Sequence, residues 1–64
     1  MSRPTEPVLP EPRRREIFAA LVEAQDDGVD VPESRMVVAA RFGVSEQQVR
    51  EVENEGTDKD WPPL

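Results

Sequence analysis

Glu51 and Glu55 stand four residues apart in "RFGVSEQQVREVENEGTDKD". On a helix that spacing puts two carboxylates on one face, a minimum requirement for paired acid–base work. Asp26, Asp27 and Asp30 form a second acidic group able to bind calcium weakly, but they lack the terminal glutamate of an EF-hand loop. The chain has no cysteine and no histidine. That removes thiolate zinc sites, disulfides and every Cys or His nucleophile–base system. There is no glycine-rich phosphate loop and no nucleophile elbow. With 64 residues the chain has little material from which to enclose a substrate pocket. Neither catalysis, nor a cofactor, nor a metal, nor a small-molecule substrate is expected.

The composition points toward binding. Hydrophobic residues make up 36% of the chain, enough for one thin core. Domains this small are marginally stable, so a partner or a dimer interface would help. The formal net charge of −6 gives no overall attraction to nucleic acid or an anionic membrane. No apolar run approaches the roughly 20 residues of a membrane span. "MSRPTEPVLPEP" lacks the apolar segment of a signal peptide, so a cytoplasmic location is expected.

Three elements must position the polar residues. Residues 1–12 carry Pro4, Pro7, Pro10 and Pro12, which reads as an extended Pro-rich arm or a groove-docking peptide. A helix is expected from Pro12 or Arg13 to about Asp26, because Ile17, Phe18, Leu21, Val22 and Gln25 follow the helical period. Gly28 is placed to end it. Asp30, with Glu33 three residues on, predicts a capping box for a second helix over about Val31–Phe42. Its inward positions are Val38, Ala39 and Phe42, and Met36 with Val37 makes a second apolar patch. Gly43 breaks it. Ser45 with Gln48 predicts another capping box, and Val44 with Val49 a hydrophobic staple. The third helix is expected from Glu46 to Glu55, with Gly56 as its C-terminal stop. Residues 57–64 then form a non-helical tail, whose Trp61 either folds back on the core or plugs into a partner. The expected fold is all-α: a small three-helix domain over 13–56 between arm and tail.

The second and third helices carry a specific packing pattern. Ala39 is a small residue four before Gly43, where one helix can cross another closely. Val49 lies six after Gly43 and Val52 nine after it. With Val38, Phe42 and Val44, these lock two helices across a glycine turn. Residues 35–54 thus resemble the helix-turn-helix of bacterial sigma-factor region four and of small transcriptional regulators. A generic helical hairpin is the alternative.

The resemblance implies a DNA-binding module acting in transcription regulation, with the third helix in the major groove. The positions that would face base edges are Ser45, Glu46, Gln47, Arg50, Glu51 and Asn54. Arg suits guanine, Gln and Asn suit adenine, and Glu suits the cytosine amino group. An ordinary solvated helix face has the same composition.

Charge argues the other way. Phosphate contacts need Lys and Arg. Residues 45–64 hold Glu46, Glu51, Glu53, Glu55, Asp58 and Asp60 against Arg50 and Lys59. A DNA mode requires Arg13, Arg14, Arg15, Arg35 and Arg41 to gather on one surface with Arg50; as a set they suit either phosphates or an acidic partner. The competing reading is an acidic protein-interaction adaptor or accessory subunit that binds a basic partner on the same fold. Either reading admits a homodimer or a larger transcription or DNA-processing assembly. Partner-docking candidates are Trp61, Leu64 and Met36.

Overall fold

A computed structural model describes residues 9–63 and contains three helices and, among those residues, no strand. Helix α1 is Glu11–Asp26, α2 is Val31–Phe42 and α3 is Glu46–Lys59. Each helix packs on both others. No helix among the described residues is long and apolar enough to cross a membrane. Most of the expected Pro-rich arm, and Leu64, lie outside the described residues.

Helix α1 starts one or two residues earlier than the expected Pro12 or Arg13. Pro10 occupies the N-cap position and Pro12 the first turn, where a missing N–H costs nothing. Ile17, Phe18 and Leu21 are buried, and Val22 and Gln25 are half-buried behind them. Asp27 caps α1, and Gly28, at φ 94°, turns the chain.

Helix α2 has the expected bounds, but its start is built differently. Asp30 sits at the N-cap without a side-chain cap bond, so the expected Asp30–Glu33 box does not form. Ser34 organises this turn instead. It is fully buried, donates its hydroxyl to the Val31 carbonyl at 2.7 Å and accepts from Gln25 Nε2 at 3.2 Å. Gly43 ends α2 at φ 68°, ψ 35°, the left-handed conformation that favours glycine. Helix α3 begins with the expected capping box. Gln48 N–H donates to Ser45 Oγ at 3.0 Å, and Ser45 N–H donates to Gln48 Oε1 at 3.2 Å.

The C-terminal end of α3 overturns the sequence expectation. Gly56 does not stop the helix; Thr57, Asp58 and Lys59 continue it. The reason is tertiary. Gly56 is buried beneath the Phe18 ring, and a Cβ there would lie 2.6 Å from Phe18 Cγ. Its missing side chain is what lets α1 and α3 approach. Asp60 ends the helix instead, at φ 54°, and the Trp61 N–H returns to the Gly56 carbonyl at 2.9 Å. That six-residue closure is a Schellman ending with Asp at the left-handed position. It turns Trp61 back onto the core, 3% exposed, with its ring edge-on to Phe18 at 6.1 Å and 80°.

The core is Ile17, Phe18, Leu21, Val38, Ala39, Val49, Val52 and Trp61. Phe42 and Val44 pack against it, half-buried. In an exposed helix interior, Gly→Ala stabilises by about 1 kcal/mol. Gly56→Ala is expected to do the opposite, costing about 2 kcal/mol through overpacking against the buried Phe18 ring. Urea denaturation followed by Trp61 fluorescence measures it.

Candidate functional site

The acids of α3 divide between two faces, and this division shapes every candidate surface. Val49 and Val52 turn inward, carrying Glu53 and Glu55 to the flanks where α3 meets α2 and α1. Glu53 Oε1 accepts from Arg35 Nη2 at 2.8 Å and Nε at 3.0 Å. Glu55 receives Arg14 at two points, Nε at 2.8 Å and Nη2 at 3.2 Å, and Lys59 Nζ at 2.9 Å. Arg14 also donates to the Leu9 carbonyl, which ties the start of α1 to α3. The two glutamates act as internal counter-ions. By sequence alone they belong to an acidic reading helix; their Arg35 and Arg14 partners, 18 and 41 residues away, appear only once α1 and α2 are in place.

The outward face of α3 carries Glu46, Gln47, Arg50, Glu51 and Asn54, all exposed. Arg50 has no ion pair among the described residues. Gln47 makes one long contact, Nε2 to Glu51 Oε2 at 3.5 Å. Ser45 stands apart from this group, because its hydroxyl is the cap acceptor of the capping box.

The arginines fall into separate settings. Consecutive helical residues point about 100° apart, so Arg13, Arg14 and Arg15 diverge. Arg13 pairs with Glu16 at 3.0 Å and lies 4.8 Å over the Phe42 ring. Arg15 pairs with Glu11 at 3.0 Å and lies 5.0 Å over the Trp61 ring. Arg14 and Arg35 are held by Glu55 and Glu53. Arg41 sits 5.6 Å from the Phe42 ring without an ion pair among the described residues. Arg13 and Arg41 share an open groove of about 650 Å³, floored by Ala19, Ala20, Phe42 and Pro63.

Of the docking candidates, Trp61 is packed inside the core and offers no ring to a partner. Met36 is 56% exposed and Val37 50%.

Comparison with protein-family models, with curated proteins and with solved structures found no match.

The Arg14–Glu55–Lys59 group shifts two titrations. The Arg14 hydrogen bonds, followed by that of Lys59, hold the Glu55 carboxyl below the ordinary carboxylate range, and Glu55 in turn raises the Arg14 guanidinium. A carboxylate whose folded pKa lies below its unfolded value stabilises the fold above the unfolded pKa. That contribution disappears as pH falls through the folded pKa. Glu55→Gln is therefore expected to be less stable than wild type near neutral pH, with the gap closing as pH falls through and below the ordinary glutamate range. Urea midpoints of both proteins across that range measure it, and other carboxylates cancel in the difference. The group is partly exposed, so the gap is small.

Proposed function

We propose that this chain is a helix-turn-helix module that presents α3 to the DNA major groove from within a dimer or a larger assembly. The observation carrying this reading is the outward face of α3. Gln47, Arg50 and Asn54 are exposed there together, and each suits a base edge. The local geometry supports the motif: left-handed Gly43, Ser45 at the N-cap of α3, and Ala39 and Val49 buried in one core. Ala39, Gly43 and Val49 are among the residues on which the resemblance to sigma-factor region four rests.

The assembly follows from charge. Arg41 and Arg50 are the cations without an ion pair among the described residues. The acids in that position are Glu23, Asp26, Asp27, Asp30, Glu33, Glu46, Glu51, Asp58 and Asp60. Two cations against nine acids give weak phosphate affinity, so a single copy needs help to stay on DNA. The same imbalance favours the second reading, an acidic adaptor held by a basic protein surface.

Salt dependence separates the two. With about two phosphate contacts, the affinity for a random-sequence duplex should fall only about tenfold between roughly 50 and 200 mM salt. A binder making many contacts loses a thousandfold or more over that range. Fluorescence anisotropy on a labelled duplex measures the slope, and Arg50→Gln should reduce it by about one contact. An absence of binding at the lower salt, with binding to a poly-arginine peptide retained, would replace the DNA reading with the adaptor.

A further inference from the structure

One strip of α2 is left outside both the core and the α3 face. Glu33, Met36, Val37, Ala40 and Arg41 follow the spacing of a single helix stripe, and all five are exposed. Two of the large apolar side chains exposed among the described residues, Met36 and Val37, lie at its middle. The ends carry opposite charges. Glu33 and Arg41 each lack an ion-pair partner among the described residues, and Arg41 rests only loosely at the Phe42 ring, 5.6 Å away.

The strip is complementary to itself. Glu33 lies four residues before Val37 and Arg41 four after it, about 6 Å along the axis in each direction. We infer that two copies of this chain pair through α2, antiparallel, on a two-fold axis at Val37. In that arrangement each Glu33 faces the other copy's Arg41, Met36 and Val37 cover each other, and Ala40 leaves room for close approach. A two-fold contact uses the same patch on both copies, and this patch meets that requirement. A parallel pairing would set Glu33 against Glu33 and Arg41 against Arg41, which the charges oppose. No outward residue of α3 belongs to the strip, and the inference does not rest on the DNA reading.

One helix face buries less than the roughly 1,200 Å² of a stable specific interface, and the net charge of −6 adds repulsion. The dimer is therefore weak and reversible. Sedimentation equilibrium of the full chain, from roughly 20 μM to 1 mM, should show monomer converting to dimer. Glu33→Arg and Arg41→Glu each place like charges opposite one another and should weaken self-association by at least about tenfold. An equal mixture of these two variants should dimerise again, because every facing pair is then opposite in sign. Far-UV circular dichroism establishes that each variant keeps its helices. Val37→Gln, which leaves the charges in place, should also weaken the wild-type association. Wild type that stays monomeric throughout, single variants that associate as wild type does, or a mixture that stays monomeric would each overturn the pairing.

Discussion

The contact on which the rest of the structure depends is the Phe18 ring lying on the backbone of α3 at Gly56. A side chain at that position would collide with the ring, so the closeness of α1 and α3 is set by one missing Cβ. Burying a phenylalanine stabilises by about 1.5–3 kcal/mol, a large share of what so small a domain has to spare. The edge-on Trp61 adds about 0.5–1.5 kcal/mol beyond its own burial. The Schellman closure makes that addition possible, because it returns the chain over Gly56 just where Phe18 needs a second wall.

Fixing α3 against α1 in this way also fixes its rotation. Val49 and Val52 face inward, so Glu53 and Glu55 fall on the flanks and meet Arg35 and Arg14. Two ion pairs then join the three helices around their rim, each partly exposed and worth little alone. Their larger consequence is electrostatic. They remove two acids from the outward character of α3 and two arginines from any phosphate-binding surface. What α3 presents to solvent at its centre is one cation, Arg50, against two acids, Glu46 and Glu51. The rest of the exterior stays acidic. A surface of this kind suits recognition by side-chain geometry better than attraction at long range.

The sequence discloses what is local. The period of Ile17, Phe18 and Leu21, the bounds of α2, the left-handed Gly43 and the Ser45–Gln48 box depend on neighbours within a turn or two, and the structure has all of them. Its errors share one cause. Gly56 looks like a helix stop because glycine usually is one; only a ring 38 positions earlier makes it a packing site. Asp30 and Glu33 have the right spacing for a box, but buried Ser34 and Gln25 organise that turn. For the α3 face, exposure of Gln47, Arg50 and Asn54 followed from the valine spacing, whereas the inward use of Glu53 and Glu55 required knowing where α1 and α2 lie.

The outward face of α3 is the proposed point of contact with a target. Backbone amide chemical shifts recorded while a short random-sequence DNA duplex is added at low salt test it most directly. Shifts should concentrate at Glu46, Gln47, Arg50, Glu51 and Asn54, while core amides such as Leu21 and Val38 stay in place. Shifts confined to other surfaces, or a spectrum that DNA leaves unchanged at any concentration, would contradict it.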